Sequence, residues 1–342
     1  MDGPDDVALT AHTDRHGCSC KVGEADLDAL LQKAGLGDEN DTADGDRLFG
    51  IGADAAARRL TDDIALVSTV DFFTPVVDDP YDFGRVAACN AASDAFTTGA
   101  VENLDCLVVL GFPAELTDCA AAILAGMADA LDAVDGKIVG GHTVVNPWPV
   151  AGGAVTATAP LDALRTSAGA EPGDRLYLTK PLGTQSAMAA TRVTDEFAAT
   201  VADATDRSIE HIAAEAIDWM TTMNRDAALA ARPFATAMTD VTGFGLAGQA
   251  RVLAARSEVG VELTSLPVID GTTALSRLFG HGLTEGESAE TSGGILCAVP
   301  PEATADLEAA FDDAGVFYRQ VGTVTGGDGV DLSGAEIEPV RQ

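Results

Sequence analysis

DIALVSTVDFFTPVVDDPYDFGRVAACNAASDAFTTGAVENLDCLVVLGF, residues 63–112, reads as strand, helix, strand. DIALVSTV (63–70) is rich in β-branched and apolar residues, as strands are. DFGRVAACNAASDAFTTG (82–99) is alanine-rich and ends on glycine, as a helix does. LDCLVVLGF (104–112) is a strand again. Outward from there, ELTDCAAAILAGMADALDAVDG (115–136) predicts a second helix, and KIVGG (137–141) and GAVTATAP (153–160) predict further strands. One open α/β sheet with helices packed on a face accounts for this order.

LRTSAGAEPGD (164–174) breaks the alternation with small residues, proline and glycine, so a domain boundary is expected near 160. RLYLTKPLG (175–183) opens a second half as a strand, with two helices expected up to about 231. ATAMTDVTGFGLAGQARVLAARS (235–257) runs from strand through a glycine turn into a helix. VGVELTSLPV (259–268), GGILCAVP (293–300) and VFYRQVGTV (316–324) add strands, with a helix at 302–314. Before the first sheet, a flexible arm leads into a short helix, EADLDALLQKAGL, which Gly35 and Gly37 end. The expected organisation is therefore an arm and helix over 1–48, an α/β domain over 49–160 and a second α/β domain over 161–342.

The chain of 342 residues is 46% apolar, which suits a globular protein with two cores. No run of apolar residues is long enough to span a membrane, and MDGPDDVALT is too acidic for a secretory signal, so the expected location is cytoplasmic. Acids outnumber Lys and Arg by 54 to 20, giving a formal charge of −34. Such a surface suits molar salt, where charges are screened within about 3 Å, and it excludes a nucleic-acid partner, since nothing here neutralises a phosphate backbone. Of six cysteines, Cys89, Cys106, Cys119 and Cys297 sit in apolar or alanine-rich runs and read as small hydrophobes. Cys18 and Cys20 differ: they lie in GCSCK (17–21), beside Lys21.

Several aspartates occupy positions that a surface acid does not need. Asp71 follows the strand 63–70; Asp94 and Asn90 stand four apart on one helical face; Asp240 ends a strand before a glycine turn; Asp54 lies in the small-residue loop GIGADAA. Carboxylates converging from separate segments suit Mg²⁺, which takes hard oxygen ligands and shares itself with substrate phosphates. With 54 acids in the chain, spacing alone does not separate these from solvated surface charges. Glycine turns at GGHTV (140–144) and TGFGLAG (242–248) offer N–H groups of the kind that bind anions. No GxxxxGK[ST] loop and no dinucleotide fingerprint occurs.

Taken together, GCSCK (17–21), STVDFFTPVVDDPYDFGRVAACNAASDAF (68–96), VGGHT (139–143), AMTDVTGFGLAGQ (237–249) and TSGG (291–294) resemble the selenophosphate synthetase (selenide, water dikinase) family. That family belongs to the aminoimidazole ribonucleotide synthetase-like ATP-binding superfamily. The resemblance covers nearly the whole chain in order. It implies a two-domain α/β (α+β) fold whose N-terminal mixed sheet, with helices on one face, pairs with its twin in a homodimer. It also implies conversion of ATP, selenide and water to selenophosphate, AMP and orthophosphate with Mg²⁺, feeding downstream selenium-using enzymes. By position, Cys18 matches the family's reactive cysteine and Lys21 its essential lysine. Asp54, Asp94 and Asp240 match metal ligands, Asp71 and Asp94 match residues at the nucleotide, and Gly141, His142 and Thr143 match a nucleotide-contacting turn. Asn90 is expected as a further polar contact. Beside Lys21, Cys18 is expected to be biased toward thiolate, and a mobile arm would serve as a lid.

The match has departures. Ser19 stands where the family usually has glycine, DAFTTGA replaces a Met-Gly-Gly ending, and Ser288, Ala289 and Glu290 replace an acid-Pro-Gln run before TSGG. The competing readings are another ATP-dependent superfamily member, such as thiamine-monophosphate kinase, and a metal-binding module built on Cys18 and Cys20. Zinc would need about four ligands, and only His12 and His16 are nearby in sequence.

Overall fold

The computed structural model of the chain describes residues 7–22, 24–36 and 45–341. A short helix, α1 (Glu24–Lys33), precedes the first sheet. That sheet has six strands: β1 (Arg47–Phe49), β2 (Ala56–Arg59), β3 (Ile64–Phe73), β4 (Glu102–Phe112), β5 (Lys137–Val145) and β6 (Val150–Pro160). Their spatial order is β1-β2-β3-β6-β4-β5, antiparallel except for the parallel β4–β5 pair. Helices α2 (Pro80–Thr97) and α3 (Thr117–Asp132) follow β3 and β4.

The sequence explains why these helices lie so close together. Alanines 87, 88, 91, 92 and 95 of α2 are all fully buried, giving a helix with little side-chain bulk. At Gly84 an added Cβ would stand 2.0 Å from the Ile123 carbonyl oxygen, and at Gly126 2.0 Å from that of Tyr81. Backbone therefore meets backbone where α2 crosses α3. Asp79 caps α2 by accepting from the Asp82 N–H at 2.7 Å, and Pro80 starts it where a missing N–H costs nothing.

The second sheet is built from β7 (Arg175–Leu178), β8 (Ala237–Asp240), β9 (Gly260–Leu263), β11 (Ile295–Val299), β12 (Arg319–Thr325) and β13 (Gly329–Asp331), in the order β13-β9-β12-β7-β11-β8. Strands β10 (Ser265–Ile269) and β14 (Glu336–Val340) form a separate parallel pair. Between β7 and β8 lie four short helices rather than the two expected: α4 (Thr184–Ala190), α5 (Asp195–Ala202), α6 (Ile209–Met220) and α7 (Arg225–Ala231). α8 (Gly245–Ser257), α9 (Thr272–Phe279) and α10 (Thr304–Asp313) complete the set. One face of this sheet, with Leu176, Leu178 and Leu296, packs on Leu246, Ala250 and Leu253 of α8. The other face, with Tyr177, Met238 and Cys297, joins a core shared with α2 and the first sheet. α2 is thus the helix common to both halves.

Three sequence expectations change. β3 continues through Phe73, so Asp71 lies inside the strand rather than after it. β5 runs to Val145, so Gly141, His142 and Thr143 are strand residues and not a turn. Residues 9–21 are docked on the body rather than free: Leu9 and Cys18 are buried, the Thr10 N–H donates to Asp78 at 3.0 Å, and the Gly17 N–H donates to the Thr74 carbonyl at 3.0 Å. No helix among the described residues is long and apolar enough to cross a membrane.

Candidate active site

The site begins with a match of two repeats. Alternate residues of a strand lie about 6.6 Å apart, and residues four apart on a helix about 6 Å apart. Thr69 and Asp71 of β3 therefore face Asp94 and Asn90 of α2, rung against rung. The Thr69 hydroxyl donates to Asp94 Oδ2 at 2.9 Å, and Asn90 Nδ2 donates to Asp71 Oδ2 at 2.6 Å. Ser68, Val70 and Phe72, on the other side of β3, point away from the helices and are exposed.

Asp54 and Asp240 come to the same place from elsewhere. Thr239 of β8 donates to Asp54 Oδ1 at 3.1 Å, and Gln249 of α8 donates to the Thr239 hydroxyl. Thr97 of α2 donates to the Asp94 carbonyl at 2.8 Å and approaches Asp54 Oδ2 at 3.4 Å. Asp240, next in sequence to Thr239, is buried and held by Ser93, which in turn accepts from Asn224 Nδ2 at 2.9 Å.

These acids repel one another. Burial, and next the charge of Asp240, pushes the Asp54 carboxyl up to about 7. Burial, then Asp240, Asp71 and Asp54, raises Asp94 well above the usual carboxylate range. Burial also raises Asp240, against the opposing Ser93 hydrogen bond and the Lys21 charge. A part-buried nest of hard oxygens with too few cations is what a divalent ion relieves, and carboxylate oxygens are the donor type Mg²⁺ takes. Among the described residues no group of three or more His, Cys, Asp or Glu side chains is spaced to hold a metal ion as it stands. An ion here would complete its shell with water or phosphate oxygens.

The Cys18–Lys21 turn lies over this nest. The Cys18 thiol donates to Asn90 Oδ1 at 3.2 Å, and the Lys21 ammonium donates to Asp71 Oδ2 at 3.1 Å. Asn90 therefore bridges sulfur and carboxylate, and its Oδ1 also accepts the Ser292 N–H at 3.0 Å. Two glycines make room for the turn. Gly17 has φ +56°, and a Cβ there would meet Thr291 Oγ1 at 2.3 Å; a Cβ on Gly243 would meet the Cys18 carbonyl at 2.8 Å. Gly243 belongs to the TGFG turn, whose place is thus beneath the thiol loop.

The expected thiolate is not what this conformer holds. Burial raises the Cys18 pKa far more than Lys21 lowers it, so the sulfur is a protonated donor. Burial pulls the Lys21 ammonium down, but its negative neighbours, Asp71, Asp94 and Asp240 among them, outweigh it and raise its pKa. Lys21 is firmly cationic. Cys20 does not join Cys18 at the acids; it lines a cavity of about 610 Å³ with Phe72, Thr74 and Trp148.

The structure brings together Cys18, Lys21, Asp54, Asp71, Asn90, Asp94 and Asp240. It does not bring Gly141, His142 and Thr143 to them within one chain. Those residues lie exposed in the edge strand β5, three strand positions from β3, which is about 14 Å. Sequence reasoning missed Thr69, Thr97, Thr239, Ser93 and Asn224, which orient the acids; alternation along β3 and the i, i+3 spacing of Asp94 and Thr97 are the only signals that pointed to any of them. It also missed Lys180, buried with its ammonium on the Thr222 and Ser292 carbonyls at 2.7 and 2.8 Å.

The family models for AIR synthase related protein match here, the N-terminal domain over residues 52–159 and the C-terminal domain over 171–334. A selenide, water dikinase of Methanococcus maripaludis is 42% identical over 318 residues, covering 90% of this chain and 93% of its own. The chain belongs to the selenide, water dikinase family. A second member, from Methanocaldococcus jannaschii, is 39% identical over 331 residues, covering 94% of each chain. Selenide, water dikinase 3 of Danio rerio is 35% identical over 87% of this chain and 74% of its own. Among solved structures, AaThiL complexed with AMPPCP and TMP superposes with a TM-score of 0.68 at 20% identity, over 93% of this chain and 95% of its own. A thiamine-monophosphate kinase from Stenotrophomonas maltophilia gives 0.66 at 22% identity, over 90% and 96%. These likenesses establish the shared fold. Within the dikinase family the Ser288-Ala289-Glu290 departure stays clear of the acids: Glu290 is buried, accepting from the Gly183 and Thr184 N–H groups at 2.9 and 2.8 Å.

Proposed function

We propose that the chain converts ATP, selenide and water to selenophosphate, AMP and orthophosphate at the acid nest under the Cys18–Lys21 turn. The observation that carries this is the hydrogen-bonded run Cys18–Asn90–Asp71–Lys21, which ties the family's thiol and lysine to a strand and helix bearing the acids. The names of the relatives above support the reaction class.

Phosphoryl transfer is catalysed mainly by positioning and charge neutralisation. Lys21, held cationic by its acidic neighbours, is the side chain that offsets charge on transferring phosphates. Asp71 fixes Lys21, and Asn90 fixes Asp71, so the ammonium has a defined place. Asp54, Asp94 and Asp240 would hold Mg²⁺, which when bound supplies charge neutralisation on phosphate oxygens. Cys18 stands where a selenium nucleophile would approach, and because burial is what raises its pKa, displacement of the turn from Gly243 would bring it back toward thiolate. The same displacement would admit the water that hydrolyses the second phosphate bond.

Three finer readings accompany this one. The outer sheet face carries Val70, Phe72 and Leu107, each about half exposed, an apolar patch suited to a second copy in a homodimer. A partner seated there is the route by which Gly141, His142 and Thr143 reach a nucleotide. The charge of −34 suits a saline cytoplasm, and the product would pass to downstream selenium-using enzymes. Phosphorus NMR of products formed from ATP under anaerobic, saline conditions tests the reaction. AMP, orthophosphate and a selenide-dependent third resonance are expected. ADP as the sole nucleotide product would instead support a kinase of the thiamine-monophosphate type.

A further inference from the structure

Behind the Cys18–Cys20 turn, on the side away from the acids, lies a separate small cavity of about 240 Å³. Its wall includes Arg15, His16, Ser19, Gln185, Arg192 and His281. The chain has only 20 Lys and Arg and 5 His against 54 acids. Two arginines and two histidines around one cavity are therefore a local reversal of the whole surface. Asp14 also borders the cavity, so the balance is positive without being wholly cationic.

Arg192 is half-buried in the wall and lies in the field of Asp78, and Arg15 is exposed at the rim. Arg85, Arg207, Arg232, Arg251, Arg319 and Arg341 all pair with carboxylates, whereas among the described residues neither Arg15 nor Arg192 forms a salt bridge. One Nη of Arg192 is anchored on the Val76 carbonyl at 3.0 Å, which sets its planar fork in the wall. His16 Nδ1 donates to the Pro75 carbonyl and His281 Nδ1 pairs with the Ser186 hydroxyl, each at 3.0 Å, which fixes both rings in the wall. Gln185 Oε1 accepts the Ala289 N–H at 2.9 Å, so its amide nitrogen is the free, donating end. Burial and then the Arg192 charge lower both histidines, against the raising charges of Asp78 and Asp14 at His16, so the rings are neutral and the two arginines carry the positive charge.

A planar fork, a second guanidinium and an amide donor around a space this small match a tetrahedral oxyanion. We propose that this cavity is a binding site for an anion of the phosphate class. It shares the thiol turn with the reaction site, because Thr291, which lines the cavity, accepts the Cys18 N–H at 3.2 Å. Occupancy would thus bear on the turn that covers the acids. Ala289, one of the departures from the family pattern, lies in the cavity wall. The inference goes beyond the proposed reaction and does not depend on it. Two sources share the chemistry: released orthophosphate and the chalcogen-bearing phosphate product.

The test is equilibrium dialysis of radiolabelled inorganic phosphate against the full chain at fixed high ionic strength, without ATP or selenide. One saturable phosphate per chain is expected. Arg192→Lys, which keeps the charge and loses the fork, should weaken it at least tenfold, and Arg15→Ala, at an exposed position, several-fold. Lys21→Ala should bind phosphate as wild type does. Stronger displacement of the label by thiophosphate than by unlabelled phosphate would assign the site to the product, and the reverse order to orthophosphate. Absence of saturable binding, or binding lost in Lys21→Ala and intact in both arginine variants, would overturn the proposal. Failure of the dikinase assay would leave this result standing.

Discussion

Replacing Asn90 with alanine tests whether one buried amide couples the thiol turn to the acids. Asn90 is 1% exposed and serves three partners: the Cys18 thiol, the Ser292 N–H and Asp71 Oδ2. Truncation orphans the Ser292 N–H, a buried donor worth about 1–3 kcal/mol, and removes a hydrogen bond to a carboxylate worth about 1.5–3 kcal/mol. The thiol bond adds little, since S–H is a weak donor. Asp71 keeps Lys21, so the total falls in the lower half of the summed range of about 2.5–6 kcal/mol, at about 3–4 kcal/mol of folding stability. Chemical denaturation in molar KCl reads this directly. Asn90→Asp supplies the sign: it keeps the acceptor for Ser292 but sets a second carboxylate against Asp71 where 2.6 Å now separates donor and acceptor. Two acids that close hold one proton between them, so their folded pKa is raised, and the variant should regain stability as pH falls below neutrality. A loss under 1 kcal/mol in Asn90→Ala, or an Asn90→Asp variant insensitive to pH, would refute the coupling.

Lys21→Ala should lower selenide-dependent AMP formation about a hundred- to thousand-fold, the usual cost of a lost transition-state charge partner, with little change in folding stability because the Lys21 end of its pair with Asp71 is 36% exposed and screened by solvent; near-normal turnover would contradict its role. Without nucleotide, mass spectrometry after brief iodoacetamide treatment should find Cys20 modified before Cys18, since Cys18 is buried and hydrogen-bonded; the reverse order would show that the turn does not dock. Lys180 is buried, and burial pushes its ammonium down to about 8, against the raising charges of Cys89 and Asp240. The unfolded chain therefore holds this proton over a window from about 8 to 10.4 in which the folded chain has released it, and stability from this residue rises with pH there, by about 3 kcal/mol in full. The stability of wild type relative to Lys180→Met should grow by that order above pH 8, and a flat difference would contradict the burial argument.

The sheet-and-helix frame was legible where residues had to alternate or pack as small side chains. β3, α2 and β4 were visible because each buries a continuous apolar or alanine surface. β1, β2, β13 and β14 were not, being three to five residues long and mostly at sheet edges with half-exposed side chains. The two strand ends were misjudged for a specific reason. Asp71 and the Gly140–Gly141 pair look like strand breakers, yet Asp71 is satisfied by Asn90 and Lys21, and at Gly141 a Cβ would strike the Val108 carbonyl at 2.3 Å. Neither compensation lies near in sequence. The acids were named from resemblance, whereas the threonines that aim them, and the burial that protonates Cys18, depend on contacts spanning up to 185 and 273 residues of chain. A GCSC segment with no apolar neighbours before Val22 gave no sign of being buried.

The account stands on acids from both sheets meeting one triphosphate beneath the thiol turn. The most direct measurement is a crystal structure with a non-hydrolysable ATP analogue and Mn²⁺ in place of Mg²⁺, using the anomalous signal to locate the ion. The account predicts manganese density among Asp54, Asp94 and Asp240, with the phosphates beside Lys21. Manganese elsewhere, or phosphates bound away from Lys21, would contradict it.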